Sequence, residues 1–264
     1  MDHPPRFELA RALVTKSPKL TRRHLLCIVV LVLALVTDAF LIEPRWVALR
    51  KLNLASPSTQ RIVFFSDIHY KGNKGALVRI VRQINSLSPD LVCFGGDIVE
   101  DAAHLDEALS ILSQIESPLF GVPGNHEYWS NSSFDKIAAC FQCTGGRWLV
   151  NENVLAEGVL IVGSEKPKVQ NDTLGATKKI LLSHYPEVAS SAQEEFNLIL
   201  AGHSHGGQIR LPFLGAPVLP DGVGKYDRGL FQTPSGPLYV TTGLGTWFIP
   251  IRFCCRPEIV LIEW

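Results

Sequence analysis

Five short apolar runs in this chain each break off into a corner rich in glycine, aspartate, asparagine or histidine. Residues 61–65 lead into Ser66-Asp67-Ile68-His69-Tyr70, 91–94 into Gly95-Gly96-Asp97, and 119–122 into Pro123-Gly124-Asn125-His126-Glu127. Residues 180–182 lead into Ser183-His184, and 198–201 into Gly202-His203-Ser204-His205-Gly206-Gly207-Gln208. Apolar runs this short, bounded by such punctuation, read as buried strands. Between the first three lie segments with helical spacing: Leu77, Ile80, Val81, Ile84 and Leu87, then Leu105, Leu109 and Leu112. Strand, corner and helix in repetition predict an α/β fold around a parallel sheet, which places ligands outside the carboxyl ends of its strands. Residues 159–162, 238–242 and 259–262 are further strand-like runs, and no repeat or long linker interrupts the body of the chain.

The corners carry metal-capable side chains: Asp67, His69, Asp97, Asn125, His126, His184, His203 and His205. Singly, Asp67 reads equally as a turn cap and His184 as a core histidine. At the ends of strands in one sheet they read as a constellation. Two divalent ions roughly 3.5–4 Å apart take about seven protein ligands, with one carboxylate bridging. Carboxylate, amide and imidazole donors together suit manganese, iron or zinc rather than calcium, which takes only oxygens. An ion pair of this kind clamps a phosphoryl group and activates water, so no protein nucleophile is required. No Ser-His-Asp arrangement stands out.

The start of the chain is different. Residues 1–24 form a basic tail, and 25–42 are apolar except for Thr37 and Asp38. Eighteen residues at helical rise just span a bilayer, so this is a transmembrane anchor or an export signal. Thr21-Arg22-Arg23-His24-Leu25-Leu26 resembles a twin-arginine signal, but no small-x-small cleavage site follows, which favours an anchor. Arg45, Arg50, Lys51 and Arg61 on the far side leave its orientation open. Residues 43–60 are expected to be a linker and first strand, and 61–264 one domain. The formal net charge is +0, so no general electrostatic attraction to nucleic acid is expected. Cys140 and Cys143 form one C-x-x-C with no second pair at zinc spacing.

Asp67-x-His69, Gly96-Asp97, Gly124-Asn125-His126-Glu127, His184 and Gly202-His203-x-His205 resemble, in order, the five blocks of the calcineurin-like metallophosphoesterases. The resemblance covers residues 61–264. It implies an α/β fold, a β-sandwich of two mixed sheets flanked by helices, here behind an N-terminal membrane-anchor helix. Asp67, His69, Asp97 and His205 would then hold one divalent ion, and Asp97, Asn125, His184 and His203 a second. Manganese is favoured over iron and zinc. His126 would be catalytic, stabilising the transition state and protonating the leaving oxygen. The family often has Asp three residues after the bridging Asp, to orient that histidine; here the position is Glu100, with Asp101 beside it, and either would serve, or the role is unfilled.

Gly206-Gly207-Gln208-Ile209-Arg210-Leu211-Pro212, Gly215-Ala216-Pro217, Gly243-Leu244-Gly245 and residues 250–258 are similar to a membrane-associated bacterial branch that includes UDP-2,3-diacylglucosamine pyrophosphatases of lipid A synthesis. That likeness implies a phosphorylated, lipid-linked substrate, cleaved to UMP and a diacylated sugar 1-phosphate, lipid X, at the bacterial inner membrane. No nucleic acid and no obligate protein partner are expected. Arg210, Arg252, Lys225 and Arg228 read either as phosphate contacts or as solvated charges. Trp247 and Phe248, with Phe213, Leu214, Val218, Leu219 and Ile249, read as an acyl-binding or membrane-resting surface or as a packed loop. Two alternatives remain: another cell-envelope phosphodiester or phosphomonoester as substrate, and a non-catalytic binding scaffold. The complete set of ligand types argues against the scaffold.

Overall fold

The computed structural model describes residues 21–54, 60–164, 178–192 and 194–264. Most of the basic tail, and part of the expected linker, therefore lie outside the described residues. Two units emerge, one ending at Thr37 and the other running Asp38–Trp264. In the first, helix α1 (Arg22–Thr37) buries none of its residues. The helical run Arg22–Arg45 has 24 residues, longer than the expected 25–42, and is long and apolar enough to cross a membrane.

The second unit is built on two six-stranded sheets. Its elements in chain order are β1 (Ala48–Asn53), β2 (Arg61–Phe65), α2 (Lys74–Ser86), β3 (Leu91–Phe94), α3 (Leu105–Leu112), β4 (Leu119–Gly121), α4 (Asn125–Trp129), α5 (Phe134–Cys143) and β5 (Arg147–Trp148). There follow β6 (Asn153–Ala156), β7 (Val159–Ser164), β8 (Lys178–Ser183), α6 (Val188–Ser191), β9 (Leu198–Ala201), β10 (Gly229–Thr233), β11 (Gly236–Val240) and β12 (Glu258–Glu263). One sheet runs β1-β12-β2-β3-β4-β5 and the other β10-β11-β9-β8-β7-β6. Both are mixed: β2 to β5 are parallel and β12 runs antiparallel to β2, while β7, β8, β9 and β11 are parallel between antiparallel β6 and β10.

The period of two along each strand decides the layering. Ile62 and Phe64 face the other sheet, where they meet Ile161, Ile180, Leu182 and Leu200 in the core of the sandwich. Val63 and Phe65, one residue out of phase, face the helices and pack with Leu77, Val81 and Ile84 of α2. Those three are spaced i, i+4, i+7, one stripe of a helix whose start Asn73 caps by accepting from the Ala76 N–H (3.2 Å). From Ile62 on, β2 is apolar, as is all of β3, which parallel strands covered on both faces require.

The residues just after α1 are fastened to the C-terminal loop. Buried Glu43 accepts from the backbone N–H groups of Cys254 (2.9 Å) and Cys255, and the Arg252 N–H donates to the Ala39 carbonyl (3.0 Å). Arg256 stacks on Trp46 at 3.9 Å. Arg252 itself is fully buried. Its guanidinium donates to the carbonyls of Gly245 (2.5 Å), Thr242 (2.8 Å) and Cys255 (3.0 Å), holding together a loop of irregular backbone. All six cysteines are free, and Cys140 is buried with its thiol on the Leu109 carbonyl.

Replacing Arg252 with Leu leaves these carbonyls buried without donors. We expect a loss of about 3 kcal/mol of stability, read as a lower melting temperature of the full chain in detergent. An unchanged melting temperature would show that water replaces the guanidinium.

Candidate dinuclear metal centre

Parallel strands β2, β3 and β4 of one sheet and β8 and β9 of the other deliver their carboxyl ends to one place. Asp67 and His69 follow β2, Asp97 follows β3, Asn125 and His126 open α4 after β4, His184 follows β8, and His203 and His205 follow β9. The chain turns sharply at these corners. Asp67, His69, Asp97, His203 and His205 all have positive φ, between 42° and 65°. Each such residue costs on the order of 1–3 kcal/mol, a strain that concentrates where function fixes the geometry.

The side chains converge on Asp97. Its Oδ1 accepts from the His126 N–H (2.8 Å), which leaves Oδ2 3.4 Å from both His69 Nε2 and His184 Nε2. On one side, His69 Nε2 lies 3.1 Å from His205 Nε2, which is 3.5 Å from Asp67 Oδ1. On the other, His184 Nε2 lies 3.0 Å from Asn125 Oδ1 and 3.0 Å from His203 Nδ1. Two triads, Asp67/His69/His205 and Asp97/His184/His203, each bring their ligand atoms within 4.8 Å of one another, and His69/Asp97/His126 makes a third. Bonds of about 2.1 Å to a shared ion put neighbouring ligand atoms about 3.0–3.4 Å apart. Two imidazole lone pairs at such a distance repel unless a proton or a cation lies between them. The donor set and its spacing thus fit a pair of divalent cations.

The outer ring nitrogens of His69, His184 and His203 are tied down, as is usual for metal-binding histidines. Glu100 Oε2 accepts from His69 Nδ1 (2.8 Å), the Gly95 carbonyl from His184 Nδ1 (2.7 Å), and the Asp221 carbonyl from His203 Nε2 (2.6 Å). His205 Nδ1 and His126 Nε2 are buried with no hydrogen-bond partner.

A second buried carboxylate holds the corners. Glu127 accepts from the backbone N–H groups of Asp97 (3.0 Å), Ile98 (2.7 Å) and Gly124 (2.6 Å), so it fixes the β3 corner to the start of α4. Gly124 packs directly on the Asp97 carboxylate, where any Cβ would collide with Oδ1 and with the His184 ring. Burial raises the pKa of Glu127, as does the Asp97 charge, and the three N–H groups oppose both. Burial also raises Asp67, partly offset by His184. Asp97 goes the other way: His184 and His69 overcome its burial and hold it well below the usual carboxylate range. Burial alone would lower His184, but Asp97 and Asp67 push it up to about 9. His203 is pushed down to about 4 by burial and by His184, and His205 well below its ordinary value by burial and by His69.

The model for the family described as calcineurin-like phosphoesterase matches residues 60–207. The chain belongs to this family. It is similar to an uncharacterized metallophosphoesterase, YkuE, of Bacillus subtilis, at 32% identity over 226 residues, 76% of this chain and 77% of that one. It is also similar to phosphodiesterase YaeI of Escherichia coli, at 27% identity over 248 residues, 84% of this chain and 89% of that one. A third relative is a transmembrane protein with metallophosphoesterase domain from Bos taurus, 29% identical over 238 residues, of which this chain spans 52%. The chain is a metal-dependent phosphoesterase whose fold, two mixed sheets flanked by helices, carries candidate groups for the dinuclear metals of the family.

Outside the cluster, several expectations are corrected. Asp101 caps the turn at 102–104 by accepting from the Ala103 N–H (2.8 Å), so it does not orient His126. Glu100 faces the cluster instead, bonded to His69 and 3.6 Å from His126 Nδ1. Arg252 is no phosphate contact, because its guanidinium is buried among backbone carbonyls. Arg210 is engaged by Asp227 (2.7 Å) and the Gly206 carbonyl (2.9 Å) and borders a separate surface hollow. Trp247 does border the cluster, while Phe248 is 82% exposed. Sequence reasoning misses the roles of Glu127, Trp129 and Lys71. Trp129 lies against the His126 ring at 5.0 Å, and Lys71 reaches the Thr246 carbonyl (3.1 Å) beside Glu100. Trp129 stands three residues after His126 on α4, a spacing that brings two side chains onto one helix face.

Replacing Glu127 with Gln keeps the shape but removes one accepting oxygen. We expect the metal-free protein to lose about 2 kcal/mol, measured by thermal melting. A rise in melting temperature would mean that relief of repulsion with Asp97 outweighs the lost bonds.

Proposed function

We propose that the chain is a membrane-anchored, two-metal hydrolase of a lipid-linked phosphodiester or pyrophosphate, with UDP-2,3-diacylglucosamine as the substrate to test first. Asp67, His69, Asp97 and His205 hold one ion, and Asp97, Asn125, His184 and His203 the other, with manganese the preferred metal. The observation that carries this reading is Asp97 Oδ2, equidistant at 3.4 Å from an imidazole of each group. The ions, when bound, clamp phosphoryl oxygens and lower the pKa of water. The chain's own contribution is His126. Burial lowers its pKa, Asp97 and Glu100 oppose that, and its Nε2 is left without a partner. A phosphate oxygen placed against Nε2 stabilises the protonated ring, with Glu100 facing Nδ1. The Nε2–H then neutralises charge on the phosphoryl group and passes its proton to the leaving oxygen. Trp129 and Trp247 border the cluster. The apolar run Arg22–Arg45 supports an anchor in the bacterial inner membrane and a substrate that stays in the bilayer.

The test compares UMP release from UDP-2,3-diacylglucosamine with turnover of bis(p-nitrophenyl) phosphate by the full, manganese-loaded chain. Asp97→Ala is expected to abolish both. His126→Ala should lower kcat by about a hundredfold or more while two ions remain bound by metal analysis. Turnover of the aryl ester alone would point to a different envelope phosphoester, and loss of metal in His126→Ala would make that residue a ligand.

A further inference from the structure

A cavity of about 460 Å3 borders the cluster at His69 and leads away from it. Its walls come from four parts of the second unit, one of them the loop after β2, through Ile68 and Lys71. Another is the turn after the apolar helix, through Phe40 and Trp46; one is a stripe of α2, through Ala76 and Ile80; one is the loop with Leu244 and Pro250. Ala76 and Ile80 are four residues apart on α2, so they share one helix face. The charged side chains of the lining are Arg45, Lys71 and Arg79, with His69 behind them and no carboxylate among the described residues. Lys71 Nζ lies 4.0 Å from Glu100 Oε2, and Arg45 donates to the Leu41 carbonyl (2.6 Å). With Arg79, the rim thus sets three cations against one carboxylate, a local preference for anions in a chain of formal net charge +0. An apolar trough with cations at its edge matches a molecule with an alkyl tail and an anionic head.

The surroundings favour a molecule held in a bilayer. Phe40, Leu41, Ile42 and Trp46 follow α1 directly in the chain and are 39–59% exposed, an apolar surface that water alone does not stabilise. Aromatic and basic residues side by side, Trp46 with Arg45 and Arg256, are the composition that membrane interfaces select. The volume falls in the range of ligand sites, and the cavity reaches the one residue, His69, that it shares with the cluster.

We propose that this cavity binds an alkyl chain of a lipid phosphoester whose phosphoryl group lies at the metal cluster, with Lys71 beside its head. The proposal rests on the reading of the chain as a lipid-directed phosphohydrolase and deepens it by locating the tail. It is tested on the full chain in detergent micelles with phosphatidic acid carrying a photoreactive diazirine near the end of one acyl chain. Cross-links are expected in the peptides covering 74–86 and 244–250, and Ile80→Asp should reduce them about tenfold. Ala76→Phe, which fills the trough without a buried charge, should raise KM for the p-nitrophenyl ester of phosphatidic acid about tenfold and leave bis(p-nitrophenyl) phosphate turnover unchanged. Labelling confined to α1 and to the loop 211–218, or labelling of α2 unaffected by both variants, overturns the proposal. Failure of the hydrolase reading is separately visible as an absence of aryl-ester turnover by the unmodified chain, whatever the labelling pattern.

Discussion

Everything at the centre of this molecule hangs from the Asp97 carboxylate. One oxygen is spent on the His126 N–H at the start of α4, and the other stands between the imidazoles of His69 and His184, which belong to different sheets. The carboxylate is thus a mechanical joint as well as an electrostatic one. The joint is itself positioned by Glu127, an acid buried with three backbone donors and no cationic side chain hydrogen-bonded to it. Two buried carboxylates so close are tolerable because Glu127 accepts three backbone N–H groups and the imidazoles around Asp97 offset its charge.

This arrangement is bought with backbone strain. Five of the residues that face the cluster sit in the left-handed region, against the stability of the sandwich. The two sheets supply that stability, with strands apolar on both faces and a shared core between them. The division of labour is plain in β2 and β3. Their interiors are regular and dry, and the irregular residues begin immediately beyond the last ladder pair, Phe65 with Phe94. Rigid strands aim the corners, and the corners aim the side chains.

The attachment of the post-anchor turn follows similar physics. Glu43 and Arg252 are buried charges that bond to backbone groups of irregular segments rather than to each other. Each satisfies donors or acceptors that no helix or sheet reaches. The turn is thereby fixed beside α2, and the space between them is a defined cavity instead of a loose seam.

Much of this was legible in the residue order, because its physics is local. The alternation of apolar runs and corners marked β2, β3, β4, β8 and β9 within a residue or two, and the apolar run marked the N-terminal helix, since burial on both faces and helical periodicity leave direct traces. The metal-capable residues were legible for the same reason: they stand at the ends of those runs. The edge strands β5, β6 and β10 were not, and β1 only as a strand somewhere within 43–60, because short or half-exposed edges carry no such pattern. Nor was the role of charged side chains. Nothing adjacent to Arg252 distinguishes it from a phosphate-binding arginine, and Glu100 and Asp101 are neighbours of like charge. Arg252 is structural because its loop folds inward around it, Asp101 is a cap because a turn begins there, and Glu100 meets His69 because parallel strands β2 and β3 lie side by side. The sequence by itself determined the central strands, the main helices and the chemistry at the strand ends. Which charges meet which partners, and which two sheets face each other, only the tertiary structure decided, because those contacts join residues far apart in the chain.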